Sequence, residues 1–296
     1  MHCTHEPRCT RAQSPLPLVA TRNGRSISRM FDTPFLDLWP MIVTGGFFVG
    51  FLVGMTGVGA GSLMTPFLIT QVGVPPTLAV GTDLLFAGLT KASAATRHHN
   101  FGNVNWPIVR WLAAGSVPGA IAMLALLSFL DPDMAAIARI IKASLAGALV
   151  LSSLAILLYP VIAKERMNML SETADTPPRP FPTILLGLGL GSVVTLTSVG
   201  AGAIGVVVLT ALYPMLVTRR LVGTDIVHAI PLTLVSGAGH AGMGNVDLVL
   251  LGMLLVGSIP GIALGSRLTG KLPDWILRIA LATVLMFAAY QLYIKI

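Results

Sequence analysis

The sequence predicts an all-α polytopic membrane protein built from two inverted-topology repeats, each a glycine-broken helical hairpin followed by three transmembrane helices. Hydrophobic residues make up 54% of the 296 residues and charged residues only 10%, whereas a soluble domain carries about 25% charged residues. Short motifs also recur between the two halves, and basic residues crowd between apolar runs. The net charge of +7 therefore reflects membrane topology rather than nucleic-acid binding.

Four segments follow from composition. In order, they are a disordered basic tail (1–34), transmembrane repeat 1 (35–162), a charged polar linker (163–180) and transmembrane repeat 2 (181–296). The first repeat contains apolar runs at 39–72, 77–96, 104–130 and 134–162, and the second begins with a similar run at 181–212. Each run is long enough to span a bilayer, which requires about 20 apolar residues.

An internal duplication relates the repeats. Three motifs recur at one displacement, 142 residues, as Asp225 follows Asp83. They are Gly-Thr-Asp at 81–83 and 223–225, Gly-Asn-Val at 102–104 and 244–246, and Gly-Ser-Val/Ile-Pro-Gly at 115–119 and 257–261. Unrelated motifs sharing one displacement indicate a repeat architecture.

The loop charges predict that the repeats are inverted. In the first half Arg97 follows the second apolar run, whereas the equivalent loop at 240–247 has no Lys or Arg, and Arg219 and Arg220 follow the broken run instead. Because basic loops face the cytoplasm, equivalent loops then face opposite sides. Inversion needs an odd number of crossings per half, which a doubled-back hairpin plus three helices provides. The basic tail argues the other way.

Two glycine-rich stretches interrupt the first run of each half. Gly costs roughly 1 kcal/mol relative to Ala inside a helix, and broken backbone at membrane depth survives where it is buried or lines a cavity. New helix amino termini near Ser62 and Ala203 are predicted to bind an anion. The alternative is close helix packing through small-xxx-small spacing. The predicted substrate-binding residues at the breaks are Thr56, Gly57, Gly59, Gly61, Ser62, Thr197, Ser198, Gly200 and Gly202.

Ionisable residues within apolar runs are candidates for function. Asp83 and Asp225 lie near the starts of their runs, which favours helix capping, but they are also proton-coupling candidates together with His228, three residues after Asp225. Lys91 either binds the substrate or snorkels towards the Arg97 loop.

The remaining histidines and the missing motifs point away from enzymes. His98, His99 and His240 are interpreted as interfacial loop residues. The sequence has no P-loop, no HExxH motif and no nucleophile constellation. We therefore predict no catalytic residue, no metal site, no cofactor and no enzymatic activity.

The paired motifs resemble those of the sulfite exporter TauE/SafE family. They read GFLVGMTGVGAGSLMTPFLI, AVGTDLL and GNVNW in the first half, and TSVGAGAIGVVVL, LVGTDIV and GNVDL in the second. The second copy departs from the first at Ser198, which replaces Gly57, and in lacking a counterpart of Lys91. The resemblance implies a secondary transporter of the bacterial inner membrane for small sulfur-containing anions.

These observations predict a multi-pass carrier of a small anion, sulfite or an organosulfonate, held between the breaks while the two halves rock around it. The expected partners are the anion and the lipid bilayer, with no nucleic acid, and a homo-oligomer stays open. The alternatives are a passive anion channel and a non-transporting membrane scaffold.

Overall fold

The computed structural model describes residues 35–56, 61–100, 102–130, 134–167, 178–268 and 273–295, and these residues form helices and short connections with no β-strand. The predicted tail (1–34) and most of the predicted linker lie outside the described residues. The ten helices are α1 (Trp39–Thr56), α2 (Gly61–Phe67), α3 (Pro76–Asn100), α4 (Trp106–Leu130), α5 (Met134–Met167), α6 (Pro180–Thr197), α7 (Ala203–Leu212), α8 (Thr218–Gly242), α9 (Leu248–Leu268) and α10 (Asp274–Ile294).

Among the described residues, seven helices are long and apolar enough to cross a membrane, namely α1, α4, α5, α6, α8, α9 and α10. Helix α3 is equally long, with 25 residues, but it contains Asp83 and Lys91 and is less apolar. Trp39, Trp106 and Trp275 are exposed in the first turns of α1, α4 and α10. Tryptophan is typical of the membrane–water interface. The all-helical membrane fold predicted from composition is confirmed.

Two boundaries differ from the sequence prediction. Helix α3 continues to Asn100, whereas a loop was predicted from Arg97, and α5 continues to Met167, past the predicted end of repeat 1 at 162. In both cases the helix extends polar residues beyond the apolar run, so hydropathy alone places the end too early. His98 and His99 therefore lie on helical backbone.

Helices α1 and α9 pack backbone to backbone through glycines. A Cβ added at Gly50 would lie 2.5 Å from the carbonyl oxygen of Ser258, so no larger residue fits without moving one helix. Such small-residue seams let membrane helices approach closely. The contacts advance together along both chains, which makes the helices parallel: Gly46 with Leu254, Gly50 with Ser258, and Gly54 with Ile262.

Helices α4 and α6 form the same seam one repeat later. Gly187 contacts Leu112 and Gly191 contacts Ser116. These pairs are the α1–α9 pairs Gly46–Leu254 and Gly50–Ser258, with the first member moved forward by 141 residues and the second moved back by 142. Each half thus lends its first helix to the fourth helix of the other half.

Equivalent helices of the two halves run antiparallel. In the pair α3 and α8, Gly81 lies against His240, whereas Gly88, further along α3, lies against Thr233, nearer the start of α8. In the pair α5 and α10, the ammonium of Lys142 donates to the carbonyl of Lys295 at 2.9 Å. Further along α5, Ser153 donates to the carbonyl of Ala282, which lies earlier in α10.

The Gly-Thr-Asp threonines join the halves to each other. The hydroxyl of Thr82 accepts the backbone N–H of Asp247 at 3.1 Å, and the hydroxyl of Thr224 accepts the backbone N–H of Asn105 at 3.0 Å. Asp247 also caps α9, since its Oδ1 accepts the N–H groups of Val249 and Leu250, both at 2.9 Å. Burial raises the pKa of the Asp247 carboxyl, while these two hydrogen bonds act to lower it.

Candidate functional site

The second break is a sharp interruption between α6 and α7. Ser198 has a positive φ of 59°, and Gly200 and Gly202 have φ values of 125° and 133°, a region that glycine tolerates and other residues rarely adopt. Thr197 holds the turn, because its hydroxyl donates to the carbonyl of Val193 at 2.7 Å and accepts the N–H of Val199 at 3.1 Å. The helix interruption predicted at this stretch is confirmed, and α7 begins at Ala203 as predicted.

The first break faces the second. Helix α1 ends at Thr56 and α2 begins at Gly61, next to the predicted start at Ser62, while Gly57 and Gly59 lie outside the described residues. A Cβ at Gly61 would collide with the carbonyl oxygen of Ser198 and lie 3.0 Å from its hydroxyl. The two interruptions therefore meet inside the protein.

The hydroxyls predicted at the breaks differ in their roles. The hydroxyl of Thr56 donates to the carbonyl of Leu52 in its own helix at 2.7 Å, and Ser62 is buried in the first turn of α2. By contrast, the buried Ser198 hydroxyl makes no hydrogen bond within the described structure. Ser198 is thus the break hydroxyl most available to a ligand.

The capping interpretation of Asp83 and Asp225 is wrong. Helix α3 begins at Pro76 and α8 at Thr218, so both aspartates lie in helix interiors, and their side chains are only 0% and 1% exposed. The prediction failed because it took the start of each apolar run as the start of the helix. A carboxylate buried at membrane depth requires a partner or a proton.

The side chain of Lys91 turns inward. It is 8% exposed and its ammonium donates to the carbonyl of Ala201, inside the second break, at 3.1 Å. The snorkelling alternative is therefore wrong, because the side chain points to the centre of the protein rather than to the end of its helix. Lys91 brings a positive charge from one half to the break of the other.

Three ionisable groups thus share one buried region. Lys91 interacts electrostatically with both aspartates, more strongly with Asp225 than with Asp83. Asp83 Oδ2 accepts a hydrogen bond from the Thr65 hydroxyl at 2.5 Å, whereas the Oδ1 atoms of both aspartates are buried without a hydrogen-bond partner among the described residues. We call Asp83, Lys91, Ser198 and Asp225 the central cluster.

Histidine flanks the central cluster on α8. His228 Nε2 is hydrogen-bonded to the Ser116 hydroxyl of α4 at 2.8 Å, and its Nδ1 has no partner within the described part of the chain. His240 was predicted to be an interfacial loop residue, which is wrong: it is buried near the end of α8, where Nε2 donates to the carbonyl of Thr195 at 3.0 Å. The fully described side chains include no group of three or more His, Cys, Asp and Glu residues able to hold a metal ion.

Three contributors to the site were missed by the sequence analysis. Thr65 bonds Asp83, Ser116 bonds His228, and Gly205 in the first turn of α7 leaves room for the Asp225 carboxylate, which a Cβ there would strike. Only Ser116 carried a signal, since it belongs to the duplicated Gly-Ser-Val/Ile-Pro-Gly motif. The other two resemble ordinary helix residues in the sequence.

A helical membrane bundle with two broken helices that meet beside buried charges has the architecture of a polytopic membrane transport protein. The chain belongs to the sulfite exporter TauE/SafE family, whose model matches residues 42–292. No solved structure matches the chain.

Similar curated proteins are named as transporters. The chain is 34% identical over 251 residues to the probable membrane transporter protein YjnA of Bacillus subtilis, covering 85% of this chain and 98% of that protein. It is 28% identical to the probable membrane transporter protein YdhB of the same organism, covering 81% and 94%. A probable membrane transporter protein of Haemophilus influenzae is 27% identical, with 84% and 96% covered.

Proposed function

We propose that the protein is a secondary transporter of a small anion, sulfite or an organosulfonate, in the inner membrane of the cell. The observation that carries the proposal is the meeting of both helix breaks at the central cluster, where Lys91 of one half reaches Ala201 in the break of the other. Family membership supports the substrate class, since the family is described as sulfite exporters.

The central cluster has the chemistry that a small oxyanion requires. Lys91 supplies a positive charge, the Ser198 hydroxyl supplies a hydrogen-bond donor without another acceptor, and the amino-terminal end of α7 begins at Ala203. Hydrogen bonds to charged groups contribute about 1.5–3 kcal/mol each, and helix amino termini favour anions. An oxyanion between these groups would replace the water that otherwise solvates it.

The helix directions support an inverted repeat, because equivalent helices in the pairs α3–α8 and α5–α10 run antiparallel. The glycine seams refine the predicted motion. Since α1 packs on α9 and α4 on α6 with no space for a Cβ, intact halves cannot rock apart without opening both seams. We therefore propose that alternating access moves crossed pairs, α1 with α9 against α4 with α6, around the central cluster.

Sulfite counterflow into liposomes that contain the purified protein tests this function. Radiolabelled sulfite should exchange with internal unlabelled sulfite in a saturable manner, and unlabelled sulfoacetate and taurine should be tested as competitors. The variant Ser198→Ala should weaken exchange, because it removes the unpartnered hydroxyl. The matched variant Ser128→Ala, whose hydroxyl bonds its own helix at Ala125, should exchange like the wild type.

The alternatives give different results in the same assay. A passive anion channel would conduct without saturation and without stimulation by internal substrate. A membrane scaffold would show no flux, and Ser198→Ala would then change nothing. Either result would refute the carrier.

A further inference from the structure

We propose that Asp225 takes up a proton whenever a monovalent anion binds at Lys91, so that the protein carries the anion and the proton together. This inference rests on the proposed function and adds the coupling ion and the residue that binds it. It arises from the number of charges that the centre of the protein holds and from the way each is bonded.

The charges of the central cluster do not balance when every group is ionised. Asp83 and Asp225 would contribute two negative charges and Lys91 one positive charge, all on side chains no more than 8% exposed. An uncompensated charge in a low-dielectric interior is costly, so such groups are paired or neutralised. The empty site is therefore neutral when one aspartate is protonated.

Hydrogen bonding distinguishes the two aspartates. Asp83 lies in contact with the Thr65 hydroxyl at 2.5 Å, and this hydroxyl can donate to a carboxylate or accept from a protonated carboxyl group. Asp225 depends instead on Lys91, its strongest electrostatic partner. In the empty site Asp83 holds the proton, and Asp225 is the carboxylate that balances Lys91.

An anion changes this balance at Asp225. A monovalent anion that binds the Lys91 ammonium takes over the positive charge, which leaves the Asp225 carboxylate uncompensated beside Gly205, with Oδ1 buried and unpartnered. A proton on Asp225 restores neutrality. The proton comes from water on the side to which the site is open, one O–H bond forms at the carboxyl group, and no other bond changes.

No other ionisable group packed around Asp225 replaces it. Helices α6 and α7 contain no ionisable side chain, and on α4 only Arg110 is ionisable, with an exposed side chain. Helix α3 contributes Asp83 and Lys91. On α8 itself, Arg219 and Arg220 lie in the first turn, His240 bonds Thr195 near the far end, and His228 bonds Ser116.

Two substrates of matched shape separate charge coupling from binding. Isethionate and taurine are both two-carbon sulfonates, but isethionate carries a net charge of −1 whereas taurine is a zwitterion with no net charge. In liposomes that contain a trapped pH dye, the wild-type protein should move one proton with each isethionate and none with each taurine. Isethionate flux without proton flux, or equal proton flux with both substrates, would overturn the inference.

The variant Asp225→Asn locates the proton. Asparagine mimics the protonated carboxyl group, so isethionate counterflow, which needs no net proton movement, should persist, while accumulation driven by a pH gradient should be lost. Asp247→Asn is the matched control, because Asp247 is a buried aspartate that caps α9 outside the central cluster, and it should retain both activities.

The outcomes remain distinguishable. If Asp225→Asn still accumulates isethionate with a pH gradient, Asp225 is not the coupling residue. If this variant fails to fold, the proton count of the wild-type protein decides alone. If the wild type exchanges sulfonates without protons, the proposed function stands and the coupling fails, whereas no exchange of any sulfur anion would refute the function itself.

Discussion

The glycine seam between α1 and α9 makes a quantitative prediction for Gly50→Ala. The new Cβ would lie 2.5 Å from the carbonyl oxygen and 2.7 Å from the Cα of Ser258, both of them backbone atoms that no rotamer change can move. An ordinary contact begins at 3.4 Å, so the two helices must separate locally by about 0.9 Å, a gap that already forfeits a quarter to a half of the dispersion energy of facing atoms.

The expected energy follows from two opposing effects. Overpacking costs about 1–3 kcal/mol, and Gly46 and Gly54 on the same face lose contact when the seam opens, which places the cost in the upper part of that range. Replacing Gly by Ala within a helix returns about 1 kcal/mol. We therefore expect Gly50→Ala to lower the free energy of unfolding by about 1–2 kcal/mol.

Gly252→Ala is the matched control on the other side of the seam. Gly252 lies in α9, where an added Cβ meets nothing within 4 Å, so only the helix propensity changes and stability should rise by up to about 1 kcal/mol. Equilibrium unfolding in mixed detergent micelles measures both variants. Equal effects of the two substitutions, or a stabilised Gly50→Ala, would refute the interpretation of α1 and α9 as a seam without spare volume.

Two further predictions concern charged residues. Lys91→Gln should weaken anion binding by about 10- to 100-fold, the loss of one charge-assisted hydrogen bond, measured as the half-saturating sulfite concentration in counterflow; Lys142→Gln, whose ammonium bonds the exposed Lys295 carbonyl, should not, and equal effects would remove Lys91 from the site. Asp247→Ala should lower unfolding free energy by about 1 kcal/mol, whereas Asp247→Asn keeps the cap and should be near neutral; similar losses in both would show that capping is not its role.

The positions of the helix breaks were predictable from sequence because their cause is local. Glycines and a serine clustered within an apolar run disfavour helix whatever surrounds them, and the structure places Ser198, Gly200 and Gly202 at positive φ. The fixed displacement of about 142 residues likewise marked equivalent positions, and the structure uses it in the paired seams. Both features depend on neighbours in the chain or on a simple repeat.

The central cluster was not predictable in the same way, because it is assembled from four elements. Asp83 resembled a cap until α3 was seen to begin at Pro76, and nothing local shows that Lys91 reaches Ala201, 110 residues further along the chain. Likewise, the contact between Gly205 and Asp225 depends on how α7 crosses α8. Such contacts are set by tertiary packing, which the periodicity of a single helix does not encode.

The crossed glycine seams also constrain how the protein is made. When the first half has been synthesised, α1 and α4 are in the bilayer, but their partners α9 and α6 have not yet emerged. The glycine faces of α1 and α4 must then face lipid until later helices arrive, and α1 waits until Leu248–Leu268 is inserted. The first half is therefore an incomplete folding unit, and assembly of the site is among the last events of biogenesis.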